Sequence, residues 1–121
     1  IIASNDILNN NYTLINFWAS WCSPCRAEHR YLISLKQNSD LKIVGINFKD
    51  QNKNAIKFLN DLGNPYYKVL QDKNGKAAVK LGVYGIPESI LIDSQKNIIE
   101  KFVGPINKGT YKIILKSINS Q

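Results

Sequence analysis

The chain has 121 residues, of which 44% are hydrophobic and 21% are charged, a composition that is typical of one globular domain and excludes a disordered or collagen-like chain. The net charge is +7, but 14 of the 16 basic residues are lysines spread along the sequence; since phosphate and base recognition favour clustered arginines, we expect no nucleic-acid partner. Two cysteines are too few to staple a small secreted fold, and no apolar run approaches the roughly 20 residues that cross a bilayer.

The first half of the chain predicts a strand–helix–strand unit. Residues 5–12 are rich in asparagine and are expected to form an irregular lead-in. Residues 13–19 (TLINFWA) and 41–48 (LKIVGINF) are β-branched and almost wholly apolar, as are strands buried on both faces of a sheet. Between them, residues 23–37 carry apolar side chains at three- and four-residue steps, which is the period of a helix. We therefore expect two parallel strands joined by a right-handed crossover.

The second half predicts three further strands and three further helices. A helix is expected to end at Gly63, and Pro65 follows it. Two predicted strands flank the polar turn at 94–96, and we expect them to form an antiparallel hairpin. The predicted elements are a helix at 52–62, a short strand at 66–70, a turn at 71–75, a short helix at 77–81, strands at 89–93 and 97–103, and a helix at 107–118. Together they indicate a mixed sheet with helices on both faces.

The two cysteines form a Cys-x-x-Cys pair where the first predicted strand ends and the first helix begins. This spacing puts the sulfurs one helical turn apart, which is close enough for a disulfide bond. Cys22 is expected at the helix N-terminus, where free backbone N–H groups and the helix dipole favour a thiolate. Cys25 is expected one turn inside, shielded and able to resolve a mixed disulfide. Such a pair in a strand–helix–strand unit indicates redox exchange.

Two other uses of the cysteine pair are less favoured. A purely structural disulfide would close a loop too short to stabilise the fold much. A structural zinc site needs four ligands, and the other available donors are His29 and carboxylates. His29, the only histidine, is expected to be a partly exposed surface residue, so we predict no metal site.

Two separated motifs make the chain similar to the thioredoxin superfamily. One is WCSPC at residues 21–25, after a buried strand, and the other is Gly85-Ile86-Pro87, before another strand. In that superfamily the downstream proline is cis and packs against the cysteine pair, and Pro87 matches its position. The resemblance implies that this bond exposes the backbone of Ile86 beside the sulfurs, where an extended partner segment can pair with it.

Four longer segments narrow the resemblance to the DsbE/CcmG branch and its TlpA/ResA relatives. They are CSPCRAEHRYLI at 22–33, GINFKD at 45–50, LGNPY at 62–66 and GVYGIPESILID at 82–93. The branch implies an α/β, thioredoxin-like fold over residues 1–121 as a single domain, with a central mixed sheet and helices on both faces. The surplus around residues 52–70 matches the extra helix-and-strand insertion of this branch.

The branch also implies a function, partners and a compartment. Its members are membrane-tethered thiol reductases that face the bacterial periplasm and serve cytochrome c maturation. The implied partners are oxidised apocytochrome c or the haem-lyase subunit that handles it, and a membrane reductase of the DsbD/CcdA type that supplies electrons; no cofactor is implied. Because the chain begins at Ile1 and contains no methionine, we expect that a signal or membrane anchor was removed from its N-terminus.

The resemblance assigns roles to residues around the cysteine pair. Cys22 matches the exposed attacking cysteine and Cys25 the resolving one. The expected substrate groove consists of Trp21, Tyr84, Ile86 and Pro87. Sequence alone does not set the direction of electron flow, because direction depends on which redox form the fold stabilises.

Two carboxylates match acidic residues that line the active-site groove of the branch. We hypothesise that Glu28, Glu88 or both raise the cysteine pKa values by like-charge repulsion and relay protons. For each residue the alternative is a solvated surface carboxylate. Plain thioredoxins keep a buried aspartate six residues before the first cysteine, where this chain has Asn16, so Asn16 is not the base that deprotonates Cys25.

Three other functions stay open. The nearest is a general TlpA/ResA-like or thioredoxin-like reductase that is not dedicated to cytochrome c. A peroxidase-like thiol protein is less favoured, because Cys22 belongs to a pair. The third is a non-catalytic module that presents the groove around Ile86 to extended peptides.

Overall fold

The computed structural model describes residues 12–119, which contain five strands and four helices. They are β1 (Thr13–Trp18), α1 (Ser23–Asn38), β2 (Lys42–Phe48), α2 (Asn52–Leu62), β3 (Lys68–Asp72), α3 (Lys76–Lys80), β4 (Glu88–Ile92), β5 (Ile98–Val103) and α4 (Lys108–Asn119). Each predicted strand and helix is confirmed, with ends displaced by two residues at most. The predicted lead-in at 5–12 lies outside the described residues, apart from Tyr12. Within 12–119, no helix has the length and apolarity that a membrane crossing requires.

The five strands form one mixed sheet in the order β3–β2–β1–β4–β5. β1, β2 and β3 are parallel, whereas β4 runs antiparallel to β1, and β5 antiparallel to β4. β1 is central and all six of its residues are buried, as its apolar composition predicts. Because β4 runs antiparallel to β1, the loop that precedes β4 lies beside the loop that follows β1. These two loops carry the Ile86–Pro87 bond and Cys22.

Alternating side chains of β1 divide the core into two clusters. Leu14 and Trp18 pack in the cluster that contains buried residues of α1, α2 and α4. Ile15 and Phe17 pack in the cluster on the opposite face, which α3 covers. The prediction of helices on both faces is therefore confirmed. Asn16 lies between Leu14 and Trp18 in the alternation, so its side chain faces α1.

β3 begins two residues later than the sequence pattern predicts. Tyr66, the expected first residue of that strand, is instead a buried core residue that stacks on Trp18 with ring centroids 5.5 Å apart. The strand runs on into Asp72, whose carboxylate accepts hydrogen bonds from the backbone N–H groups of Ala77 and Ala78. Gln71 is exposed, and the buried Asp72 is tolerated because these hydrogen bonds satisfy its carboxylate. The polar end of β3 therefore resembles a turn in the sequence.

Candidate active site

Cys22 and Cys25 are joined by a disulfide bond at the N-terminus of α1. Cys22 is the N-cap residue of the helix, and its Sγ accepts a hydrogen bond from the backbone N–H of Cys25 at 3.3 Å. The Cα atoms are 5.2 Å apart, which is an ordinary disulfide separation. Pro24 lies in the first turn, where its missing N–H costs no helical hydrogen bond. The predicted juxtaposition of the two sulfurs is confirmed.

The expectation that Cys22 is exposed is wrong for this disulfide form. Cys22 is 5% exposed and Cys25 is 1% exposed. Both sulfurs pack into the core cluster on the α1 face, which a residue-by-residue resemblance does not reveal. Cys22 is the more accessible of the two, as the resemblance implies for an attacking cysteine.

The segment that leads into the disulfide is tied to the end of β2. Asp50 accepts hydrogen bonds from the backbone N–H of Ser20 at 2.7 Å and from its hydroxyl at 2.8 Å. It also accepts bonds from the Asn47 side chain and the Gln51 backbone. Partial burial raises the pKa of Asp50, but these hydrogen bonds together outweigh that effect and hold its pKa below the usual value.

Asp50 is a site residue that the sequence reasoning did not identify as one. Its signal was a carboxylate directly after a buried parallel strand, at the sheet edge where β1 also ends. Trp21 also binds the segment after β2, because its Nε1 donates a hydrogen bond to the backbone carbonyl of Lys49 at 3.1 Å. Trp21 stays 59% exposed, directly before Cys22 in the chain.

The bond between Ile86 and Pro87 is cis, as the resemblance predicts. Phe17 pairs with Glu88 across β1 and β4, so Pro87 lies beside the end of β1, close to the loop that carries Cys22. Ile86 is half-buried and packs against the cluster that contains both cysteines. Tyr84 is 93% exposed, and with Ile86 and Pro87 it lines a groove of about 310 Å³. The structure thus brings three of the four predicted groove residues together, whereas Trp21 lines a separate pocket with Arg26 and Phe58.

Glu28 is fully buried and does not line this surface groove. One carboxylate oxygen accepts a hydrogen bond from Asn16 Nδ2 at 2.9 Å, and the other accepts one from the backbone N–H of Ile106 at 3.0 Å. Burial raises the pKa of Glu28 from 4.5 to about 7, although both hydrogen bonds lower it. The expectation of a groove-lining residue is corrected here: Glu28 lies beneath the helix, against β1 and the start of α4.

Asn16 is the centre of a buried polar cluster under α1. Its side-chain N–H groups donate to Glu28 and to the Ser89 hydroxyl, at 2.9 and 3.0 Å. Its carbonyl oxygen accepts a hydrogen bond from the Tyr66 hydroxyl at 2.8 Å. All the hydrogen-bonding positions of this amide except a second lone pair are therefore used, as buried polar groups require.

Glu88 lies on the opposite face of the sheet from Glu28. It pairs with Phe17, whereas Ser89 pairs with Asn16, and directly opposed residues in an antiparallel pair share a face. Glu88 is buried, with its Oε1 3.1 Å from Lys101 Nζ. Like Glu28, it is therefore not a solvated carboxylate, and the structure does not bring the two together.

His29 is also buried, which corrects the expectation of a partly exposed surface histidine. Its Nε2 lies 2.8 Å from the carbonyl oxygen of Gly63, and its ring packs edge-on against Phe58. Burial lowers the pKa of His29. It therefore serves the contact between α1 and α2. Across residues 12–119, no three His, Cys, Asp or Glu side chains are grouped as metal ligands.

Comparison with known proteins gives concordant matches. The Redoxin family model matches residues 3–117. The chain is 52% identical over 98 residues to the thiol:disulfide interchange protein CycY of Rhizobium leguminosarum, covering 81% of this chain and 53% of that protein. It is 42% identical over 105 residues to the thiol:disulfide interchange protein DsbE of Haemophilus influenzae, covering 87% of this chain and 58% of that protein. The chain thus spans little more than half the length of these relatives.

The fold is also similar to solved structures. A crystal structure of a thiol:disulfide interchange protein of the thioredoxin family from Chlorobium tepidum superposes with a TM-score of 0.80 and 26% sequence identity. The match covers 95% of this chain and 84% of that one. The architecture described above is therefore a thioredoxin-like fold, as the sequence motifs predict.

Proposed function

The chain belongs to the redoxin family, as a DsbE/CcmG-like member of the thioredoxin superfamily, and from this we propose that it is a thiol:disulfide oxidoreductase. The observation that carries the proposal is the Cys22–Cys25 disulfide at the N-terminus of α1, beside the cis Ile86–Pro87 bond. Such a pair can open and close without rearranging the fold, because both cysteines belong to one helical turn. The helix N-terminus favours the thiolate of Cys22 in the reduced protein.

The proposed reaction is a two-step exchange in which the reduced chain is the electron donor. The Cys22 thiolate attacks a disulfide of the partner, forms a mixed disulfide and releases one partner sulfur as a thiolate that takes up a proton. The Cys25 thiolate then attacks the Cys22 sulfur, and the mixed disulfide breaks. Two electrons have passed to the partner, which leaves as a dithiol, and the Cys22–Cys25 disulfide is formed again.

We assign proton handling to Glu28. It follows Cys25 by three residues, which places it one turn along the same side of α1. With a pKa raised to about 7, it can accept the Cys25 proton near neutral pH, as a general base must. Glu88, on the opposite face and paired with Lys101, contributes a negative charge beside Pro87 and tunes the pair from there.

Partner binding is assigned to the surface around the disulfide. Trp21 and Tyr84 are the exposed aromatic residues of this surface, and aromatic side chains dominate binding surfaces. The backbone of Ile86 precedes β4 and can pair with an extended segment of the partner as an added strand. Because Pro87 has no backbone N–H, the backbone groups available to a partner at this point of the loop are those of Ile86.

The proposed role is reduction of disulfides of apocytochrome c or of the haem-lyase subunit during cytochrome c maturation, in the bacterial periplasm. Electrons would come from a membrane reductase of the DsbD/CcdA type. This narrower assignment is supported by the segments shared with the DsbE/CcmG branch and by the identity to CycY and DsbE proteins. No cofactor takes part in the proposed reaction.

The decisive test is to trap the mixed disulfide. In Cys25→Ser the second step is blocked, so a covalent adduct through Cys22 should accumulate with apocytochrome c or a haem-lyase subunit. Cys22→Ser is the matched control and should trap nothing. Adducts spread over many unrelated proteins would favour the general TlpA/ResA-like reductase. Absence of any adduct, together with undiminished peptide binding by a Cys22→Ala/Cys25→Ala variant, would favour the non-catalytic module.

The direction of electron flow needs a separate measurement. Equilibrating the Cys22–Cys25 pair with glutathione buffers gives its reduction potential. A reductant should have a potential well below that of the glutathione couple. A strongly oxidising pair would overturn the reductase assignment while leaving disulfide exchange in place.

A further inference from the structure

We propose that Tyr66 is a positioning residue of the redox site: its hydroxyl holds the Asn16 amide so that the N–H, and not the carbonyl, faces the carboxyl group of Glu28. This deepens the proposed function and rests on it for its meaning, since Glu28 is the group assigned there to proton handling. Tyr66 comes from the connection between α2 and β3 (residues 63–67), far from the cysteines in sequence.

The structure shows which way the Asn16 amide is turned. Asn16 has one carbonyl oxygen and one NH₂ group on the same carbon, so turning the amide over exchanges their positions. The Tyr66 hydroxyl, 2.8 Å from the carbonyl oxygen, donates to it. The NH₂ group is then turned to Glu28 and Ser89. If the amide were reversed, its carbonyl would face Glu28 and would favour the protonated carboxyl group.

The backbone beneath Tyr66 is shaped to admit its ring. A Cβ atom at Gly45 would lie 2.8 Å from two carbon atoms of the Tyr66 ring, closer than real contacts allow. Tyr66 is 6% exposed and stacks on Trp18. This packing fixes the position of the Tyr66 hydroxyl group. Burial, and next the charge of Glu28, raise the pKa of Tyr66 well above its ordinary value, which keeps the hydroxyl protonated and able to donate.

Two segments besides α1 contribute hydrogen bonds to Glu28 among the described residues. β1 presents the Asn16 amide, and the segment before α4 presents the backbone N–H of Ile106. α1 itself carries Cys25 and His29, and the pKa of His29 is lowered by burial. Tyr66 acts on the carboxyl group through Asn16. Loss of its hydroxyl should therefore allow the amide to reverse and should raise the pKa of Glu28.

The test is carboxyl-carbon NMR titration of Glu28 in the oxidised protein. Tyr66→Phe should raise the Glu28 pKa by about one pH unit, the size expected for loss of a charge-assisted hydrogen bond. Ser89→Ala removes a neighbour of Asn16 but leaves Tyr66 to orient it, and Tyr67→Phe removes the adjacent hydroxyl. Both controls should leave the Glu28 pKa unchanged. An unchanged or lowered pKa in Tyr66→Phe, or an equal rise in Ser89→Ala, would overturn the proposal.

A second measurement uses the unaltered protein and does not depend on a variant folding. Nuclear Overhauser contacts of the Asn16 NH₂ protons should connect them to Ser89 and not to the Tyr66 ring; the reverse pattern would overturn the proposal. Neither experiment measures disulfide exchange. If the amide is oriented as proposed but the protein reduces no disulfide, the proposed function fails and the positioning role of Tyr66 stands.

Discussion

Glu28 is a carboxyl group on the helix that begins at the Cys22–Cys25 disulfide, yet its side chain is not exposed to solvent. A buried carboxylate loses hydration, and the hydrogen bonds from Asn16 and Ile106 only partly compensate for that loss. Its pKa of about 7 makes it an acid–base group at neutral pH, whereas a solvated glutamate would be ionised throughout that range. At the residue scale, burial gives this side chain the raised pKa on which its proposed role in proton handling depends.

Replacing Glu28 with glutamine should alter the thiol chemistry of the reduced protein. Above neutral pH, the negative charge of the Glu28 carboxylate repels the Cys25 thiolate. Removing that charge should therefore lower the Cys25 pKa by about one unit. It should also slow the resolving step, because the nearby proton acceptor is lost. The pH dependence of thiol alkylation, followed for each cysteine, measures the first effect. Glu88→Gln is the comparison, and unchanged thiol pKa values in both variants would remove the tuning hypothesis.

The loop between β1 and α1 depends on the loop between β2 and α2. Two adjacent residues, Ser20 and Trp21, are held by Asp50 and by the Lys49 carbonyl. Parallel strands end at the same edge of a sheet, so these loops meet although they are about thirty residues apart in the chain. At the element scale, the position of Trp21 and Cys22 is set by a neighbouring strand as well as by their own helix.

Replacing Asp50 with asparagine should destabilise this edge of the sheet. Asparagine has one acceptor oxygen, and its NH₂ would face either the Ser20 N–H and Asn47 or the Ser20 hydroxyl and the Gln51 N–H. The free energy of unfolding should therefore fall by about 2 kcal/mol. Asp61→Asn is the control, because Asp61 makes an exposed ion pair with Lys57 that contributes little. Urea denaturation at pH 7 measures both, and equal losses would contradict the prediction.

The same comparison has a pH dependence. A depressed pKa in the folded state stabilises the protein above the ordinary value of 3.8, and this contribution is lost as the pH falls through the lower folded value. The difference between wild type and Asp50→Asn should therefore shrink in acid.

At the scale of the whole molecule, the sheet separates the buried carboxyl groups of Glu28 and Glu88. Glu28 belongs to the polar cluster beneath α1, and Glu88 to the opposite face with Lys101. The disulfide lies at the end of the central strand, where both faces can be reached. Each carboxylate can therefore affect the site without a contact between them.

The free energy of unfolding of the oxidised protein should depend on pH in a way that reveals the raised pKa of Glu28. Between pH 4.5 and about 7 the folded protein keeps a proton on Glu28 that the unfolded chain releases, so its contribution to stability is present at low pH and is lost as the pH rises. Over that range, wild type should lose up to about 3 kcal/mol of unfolding free energy relative to Glu28→Gln. Denaturation at a series of pH values measures the difference. Parallel pH profiles would contradict it, because the effects of His29 are common to both proteins.

Much of the fold and part of the site could be predicted because their signals are local. Apolar runs and helical periods located each strand and helix to within two residues, and Cys-x-x-Cys after a buried strand indicated the redox pair. The burial of Glu28 and His29 could not be predicted. It depends on Ile106, which is 78 residues from Glu28, and on Gly63, which is 34 residues from His29.

By itself, the sequence determined the order of the elements and the pairing of Cys22 with Cys25, because periodicity and motif spacing act over a few residues. The cis bond before Pro87 was predicted from the resemblance to the thioredoxin superfamily and not from spacing. Tertiary structure alone decided which polar side chains are dehydrated and which hydroxyl reaches Asn16. Those properties arise when β1 is enclosed between distant elements, since desolvation depends on everything that packs around a group and not on its neighbours in the chain.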